Sequence, residues 1–350
     1  MKRILTGDRP TYDSFHLGNY VGSLKNRVKL QAGYETFIEV VDLHALTTYF
    51  DKTASVEKNI RGLVLGYLSV GLDPDKVTFF LQSKVPEILE ISYFLSILTP
   101  RTLLARQPAL KEKLDQGEQD TVGLFYYPVL MAADILTPRA NLVPVGRDQK
   151  SHVEYARDIA RKFNDTYPLR PRLASTQTRS EASGEVFPIP EPLIGEVPTL
   201  PGTDGKAKMG KSTGNAIFLT DSPDEVKKKV MSMFTDPNRV HGDEPGRTEG
   251  NPVFIYLDAF VSEIRNSKFE IRNEEYKERY KEGKVKDVEV KEFLVEVLEK
   301  FLAPIRIKRA EFEKQPEIVE KILKEGTQKA RAEAQITLDE VRRAMKIDYF

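Results

Sequence analysis

The sequence predicts an α/β fold built on a doubly wound parallel sheet, followed by a C-terminal all-helical domain. Three observations carry that prediction. Up to about residue 220, short β-branched or aromatic runs alternate with helix-period stretches; residues 86–139 are mostly helical and interrupt the alternation; after Ser222 no convincing strand follows. Strand–helix alternation marks βαβ units, and in such sheets ligands collect at the carboxyl ends of the strands.

The elements follow in order. Ile4-Leu5-Thr6 opens as a short apolar strand, with a helix from about Tyr20 to Leu30 after it. Thr36-Phe37-Ile38-Glu39-Val40-Val41, Val77-Thr78-Phe79-Phe80-Leu81 and Asn141-Leu142-Val143-Pro144-Val145 are further runs bounded by Gly, Pro or Asp, as buried parallel strands tend to be. Helices are expected over 54–70 and 148–164. Residues 166–215, rich in Pro, Gly, Ser and Thr, read as loop. Ser222-Pro223-Asp224-Glu225 supplies an N-cap, a proline at the first position and acids against the helix dipole. Val290, Phe293, Leu294, Val297, Leu298, Phe301 and Leu302 then follow the i, i+3, i+4, i+7 spacing of an amphipathic helix.

Composition removes several classes of chemistry. The chain has 350 residues, with 53 Lys plus Arg against 53 Asp plus Glu and a formal net charge of +0. A polyanionic partner must therefore be met by a local basic patch. There is no cysteine, which excludes disulfides, Cys-based zinc sites, Fe–S clusters and thiol nucleophiles, and only 4 His remain to serve a metal; none is expected. No apolar run reaches the ~20 residues of a bilayer span, and Met1-Lys2-Arg3-Ile4-Leu5 lacks the apolar core of a signal peptide. No membrane association is expected, and the location expected is cytoplasmic.

Four segments could carry chemistry. His16-Leu17-Gly18-Asn19 lies between the first strand and a helix, where imidazole, amide and a close glycine backbone can meet phosphate oxygens. Lys206-Ala207-Lys208-Met209-Gly210-Lys211-Ser212 formally completes a P-loop pattern from Gly205, but its Pro- and Gly-rich flanks fit neither the strand before nor the helix after. It reads better as a loop whose lysines neutralise phosphates as point charges. In a helix, Tyr127, Met131 and Asp134 share one face, and a buried Asp134 must pair with an arginine of the fold or with a ligand N–H. Val143-Pro144-Val145-Gly146-Arg147-Asp148-Gln149 is a strand end turning into a helix, where ligand contacts gather.

Taken in order and spacing, these segments resemble the bacterial tryptophanyl-tRNA synthetases, a family of class I aminoacyl-tRNA synthetases, over nearly the whole chain. Thr6 to Thr11 is similar to that family's opening strand and loop. His16-Leu17-Gly18-Asn19 resembles its HIGH motif and Lys208-Met209-Gly210-Lys211-Ser212 its KMSKS motif. Tyr127–Ile135 and Val143–Lys150 are similar to its amino-acid pocket segments, and Val230–Pro237 and Glu249–Val253 to its early helical-domain segments. The resemblance implies a Rossmann-like catalytic domain over 1–220, with a helical insertion near 84–140 forming a homodimer interface, and a helical tRNA anticodon-binding domain over 221–350.

It further implies ATP with Mg²⁺ as the nucleotide, and L-tryptophan and tRNA(Trp) as partners. Lys208, Lys211, Ser212, His16 and Asn19 would serve catalysis. Arg9, His16, Gly18, Asn19, Gly146, Asp148, Gln149 and Met209 would hold ATP, with Asp148 acting on Lys208. Leu5, Gly7, His44, Tyr127, Met131, Asp134, Val143, Val145 and Gln149 would bind tryptophan. Tyrosyl-tRNA synthetases share the fold but resemble this chain less in the pocket, usually carrying Gln where it has Met131. A thioether suits a flat aromatic face and offers little to a phenol hydroxyl. Phosphate contacts of the tRNA are sought among Arg342, Arg343 and Lys346.

The chain departs from the family pattern in three places. One extra residue lies between Thr11 and His16, Tyr12 replaces a glycine, and Gly210 replaces the first serine of KMSKS. Weakened but surviving activation chemistry is expected. A tyrosine-specific enzyme, and a non-charging paralogue that binds tryptophan or nucleotide, stay open as alternatives. The chain contains no tryptophan, so ligand fluorescence is directly measurable.

Overall fold

The computed structural model describes all residues except 147–148, 170–183, 195–199, 206–208, 211–212, 237–238, 240 and 350. Five strands, β1 (Arg3–Asp8), β2 (Glu35–Val40), β3 (Val77–Leu81), β4 (Leu142–Val145) and β5 (Glu191–Ile194), form one sheet in the order β3-β2-β1-β4-β5. Every pairing is parallel. The four predicted runs are strands because their side chains are covered on both faces; β2 is buried from Thr36 to Val40. β5 lies within the stretch expected to be loop. Its four residues include Pro192, which a sheet accepts at an edge strand, so composition pointed away from it.

The sheet reverses direction between β1 and β4. β1 and β2 stay in register from Arg3↔Glu35 to Asp8↔Val40, whereas β1 meets β4 in register only at Ile4↔Leu142. Further along β4, Pro144 has no amide hydrogen to give. The strands part there, and the switch point opens as a crevice.

After β1, α1 (Leu17–Asn19) passes through a π-helical turn at Tyr20–Leu24 into α2 (Lys25–Leu30). It starts earlier than expected because His16 caps it: His16 Nδ1 accepts from Asn19 N at 3.2 Å, while His16 N donates to Asn19 Oδ1 at 3.0 Å. α3 (Asp42–Tyr49) and α4 (Thr53–Ser69) connect β2 to β3. The insertion comprises α5 (Glu87–Ile97), α6 (Arg101–Leu104), α7 (Pro108–Asp115) and α8 (Val122–Leu136). α9 (Lys150–Thr166) follows β4.

From residue 222 on, the described residues contain helices and no strand: α10 (Pro223–Met231), α11 (Pro252–Ile264), α12 (Ser267–Lys281), α13 (Asp287–Glu313) and α14 (Pro316–Met345). Ser222 caps α10 as expected, and Glu225 completes a capping box with it. All seven apolar positions expected on one face of α13 are buried, each worth about 1.5–3 kcal/mol of transfer free energy. α14 covers the sheet edge at β3. Thr327 Oγ1 accepts from Leu81 N at 3.2 Å, and Gly326 is obligatory because a Cβ would lie 1.9 Å from the Phe79 carbonyl oxygen. Arg342 corrects an expectation: its Nε and Nη2 bind Glu90 of α5 at 2.8 and 2.7 Å, so it holds the helix to the insertion instead of awaiting a phosphate.

Candidate active site

A cleft of about 1240 Å³ occupies the crevice at the carboxyl ends of β1, β2 and β4. At one end stands α8, capped by Thr121, whose Oγ1 accepts from Leu124 N at 3.1 Å. Tyr127, Met131 and Asp134 all reach the cleft from the face that spacing predicted. Asp134 is 3% exposed. Among the described residues it pairs with no arginine. Its Oδ2 lies 2.8 Å from His44 Nε2 of α3, and its Oδ1 accepts from Gln82 Nε2 at 2.8 Å. Gln82 Oε1 in turn accepts from His44 N at 3.3 Å. Two donors that follow β2 and β3 thus fix a carboxylate on α8, with acceptor capacity left over.

Glu39 of β2 also faces this end, at 1% exposure. Burial, with the charge and hydrogen bond of neighbouring Asp134, pushes its carboxyl well above the usual range. Gly7 stands opposite it in register, and a Cβ there would lie 2.6 Å from the Glu39 carbonyl oxygen. Leu5, Val143, Val145, Gly146 and Gln149 complete the walls. Tyr127 sits edge-on to His44 and His152, and its hydroxyl is 3.4 Å from His152 Nε2. Burial raises that phenol to about 12. Lys113 Nζ lies 5.2 Å from the Tyr127 ring centre. Burial, then the charge of Arg9, lowers this lysine to about 8.

The other end is built on loops and backbone. Gly18 N donates to Met209 Sδ at 3.4 Å, which joins the two motif segments directly. Residues 217–219 lie beside the first motif: Leu17 N donates to Ile217 O at 2.9 Å and Leu219 N to Phe15 O at 2.8 Å. Asn215 anchors the lysine-rich loop, accepting from Gly210 N at 2.9 Å and donating to Asp204 Oδ1 at 3.1 Å. Among the described residues this loop is flanked by turns, so the rejection of a P-loop holds. Arg9 is bonded to Thr48 Oγ1, and burial lowers its guanidinium. Asp8 accepts from Arg27 Nη1 at 2.5 Å and Tyr67 Oη at 2.6 Å. Tyr12, in place of the family glycine, lines the cleft, its phenol raised by burial and by Asp8.

Every described residue of the expected site lies on this one cleft: Leu5, Gly7, Arg9, His16, Gly18, Asn19, His44, Tyr127, Met131, Asp134, Val143, Val145, Gly146, Gln149 and Met209. Lys208, Lys211, Ser212 and Asp148 lie outside the described residues. Sequence reasoning missed Glu39, Gln82, Lys113 and His152. Glu39 carried a signal, being the one charge inside an apolar run.

Residues 1–303 match the model of the class I tRNA synthetases (W and Y). The tryptophan–tRNA ligase of Treponema pallidum (strain Nichols) is 45% identical over 99% of this chain and 97% of its own. That of Streptococcus pyogenes serotype M3 is 46% identical over 99% and 98%. Among solved structures, the Campylobacter jejuni tryptophanyl-tRNA synthetase complexed with ADP and tryptophan superposes with a TM-score of 0.83, at 34% identity over 98% of this chain and 99% of that one. The Archaeoglobus fulgidus tyrosyl-tRNA synthetase complexed with L-tyrosine reaches 0.63 at 21% identity over 88% and 90%, a likeness of fold alone.

Proposed function

The chain belongs to the class I tRNA synthetases of the W and Y family, and from that premise we propose that it is a tryptophan–tRNA ligase. It activates L-tryptophan with ATP to tryptophanyl-adenylate and pyrophosphate, then transfers the tryptophanyl group to the 3′ end of tRNA(Trp). The observation that carries this reading is Asp134, a buried acceptor held by His44 and Gln82 beside Met131, at the apolar end of a cleft that also takes in His16, Gly18 and Asn19.

In this assignment the ring lies between Gly7, Met131 and Val143, its N–H directed at Asp134, while Tyr127 and Gln149 orient the α-amino group. The phosphates lie toward His16, Gly18, Asn19 and Arg9. Mg²⁺ travels on the ATP phosphates, as a hard cation that dehydrates reluctantly, and adds charge neutralisation there. The tryptophan carboxylate attacks the α-phosphorus in line; Lys208 and Lys211 stabilise the charge gathering on pyrophosphate. A carboxylate nucleophile needs no general base, so positioning and electrostatics supply the rate. A hydroxyl of the terminal tRNA ribose then attacks the adenylate carbonyl, the mixed anhydride C–O bond breaks, and AMP leaves as the ester forms.

Residues 1–220 form the catalytic domain in this reading and 221–350 the anticodon-binding helices, with a homodimer assembled through the insertion. Leu89, Tyr93 and Ile97 favour that interface: they expose an apolar row at i, i+4 and i+8 of α5, with Leu103 and Val122 also uncovered. Among the described residues no helix is long and apolar enough to cross a membrane, and we place the enzyme in the cytoplasm. Pyrophosphate exchange into ATP tests the function. Exchange driven by tryptophan and not tyrosine is expected. Tyrosine-driven exchange overturns the pocket assignment, and no exchange by the folded protein favours a non-charging paralogue.

A further inference from the structure

The amino-acid end of the cleft holds two carboxyl groups. Asp134 already receives His44 and Gln82. Glu39 is buried beside it in the middle of β2, with Phe80 of β3 and Gly7 of β1 as its strand neighbours. Among the described residues, the titratable or charged groups facing it are Asp134 from α8 and Asp42 from α3, with His44 bonded to Asp134. Its Oε1 is fully buried and has no hydrogen-bond partner among the described residues. Leaving a buried acceptor unpaired costs about 1–3 kcal/mol, and an ionised carboxylate there costs more. The side chain therefore has neither the charge partner nor the full bonding of a structural glutamate.

We propose that Glu39 is a specificity-determining residue: as a carboxylic acid it donates its O–H to Asp134 and so holds Asp134 in place as the acceptor of the indole N–H. The inference rests on the tryptophan reading above and extends it to a residue outside the expected site. Two carboxyls in contact cannot both ionise in a dry site, so one proton belongs to the pair. The raised carboxyl of Glu39, next to an Asp134 stabilised by two N–H donors, locates that proton on Glu39. An indole ring over the pair strips its water and favours the protonated form further. Tryptophan binding is thus linked to keeping the proton.

The test is tryptophan-dependent pyrophosphate exchange across pH with the full-length protein and with Glu39→Gln, whose amide can donate to Asp134 without titrating. In wild type the KM for tryptophan is expected to rise by up to about tenfold per pH unit above the ionisation of the pair, relative to Glu39→Gln, with kcat unchanged. The α-amino group of the substrate titrates in both and cancels in that ratio. Parallel profiles overturn the proposal. A second arm compares tryptophan with its benzothiophene analogue, which has sulfur in place of the ring N–H. Glu39→Leu should shrink the wild-type preference for the N–H at least about fivefold; an unchanged preference overturns that role. If Glu39→Leu fails to fold, the Gln profile still decides. Absence of tryptophan-driven exchange in wild type itself would strike the functional reading instead, which keeps the two failures distinct.

Discussion

At the amino-acid end of the cleft, the working side chains stand on strand ends and on α8 and hold one another through buried hydrogen bonds. At the nucleotide end they stand on a capped helix start and on loops, and backbone amides do the holding: Gly18 N on Met209, Gly210 N on Asn215, Leu17 N on Ile217. The first end is preorganised by a dry polar network in which each deletion orphans its partners. The second offers backbone donors and cations to a charged ligand that brings its own solvation. The contrast suits the two tasks. A ring must be told from other rings, whereas a triphosphate must be gripped and its product released.

Removing Asp134 breaks the first end outright and carries the largest expected effect. Asp134→Ala leaves His44 Nε2 and Gln82 Nε2 without an acceptor and removes the proposed indole acceptor. With charged hydrogen bonds worth about 1.5–3 kcal/mol each, kcat/KM for tryptophan should fall about 10²–10³-fold, while KM for ATP stays within about threefold. An equal loss on both substrates in pyrophosphate exchange would show that the ends are one network. Lys211→Ala is the counterpart at the other end. The activation rate in a single turnover should fall about 10²-fold, as when one charge stabiliser is removed. Tryptophan affinity, read from the fluorescence of the ligand in a chain without tryptophan, should hold.

Lys113 sharpens the comparison because it stands between the two ends, over Tyr127 and near Arg9. Its ammonium is lowered to about 8, so it is charged below that pH and neutral above it. KM for ATP should therefore rise as pH passes from 7 to 9, by about three- to tenfold, with tryptophan KM less affected. Lys113→Arg, which stays charged, should flatten that rise; a profile identical to wild type would remove Lys113 from the nucleotide side.

The same contrast governs what could be read from sequence. The proposed nucleotide end suggests itself in the sequence through two contiguous strings, His16–Asn19 and Lys208–Ser212. Their meeting through Met209 needed only the fold. The amino-acid end was legible along α8, where helical spacing placed Tyr127, Met131 and Asp134 together. Its supporting side chains were not: Gln82 follows β3 and His152 lies on α9, so nothing local marks them as neighbours of α8. Lys113 looked like any lysine on a polar helix. Glu39 stood out only as a charge in an apolar strand, and its role depended on which strand lay beside it. Arg342 shows the converse: a basic residue on a C-terminal helix is spoken for by Glu90, 252 positions away.

The smallest effect tests whether the motif-to-motif contact is chemistry or packing. Met209 is buried and its sulfur accepts from Gly18 N at 3.4 Å, but a thioether is a weak acceptor. If burial dominates, Met209→Leu should match wild type within about twofold in ATP KM, while Met209→Ala raises it about three- to fivefold. If the sulfur fixes the Gly18 amide, leucine should fail as alanine does, since neither can accept. The first outcome is expected, because that amide opens a helix whose cap already serves Asn19, leaving Gly18 N for a phosphate oxygen once ATP arrives. Met209 then acts as a placeholder that a stronger acceptor displaces, so the nucleotide end can rearrange during turnover while the Asp134 network stays in place.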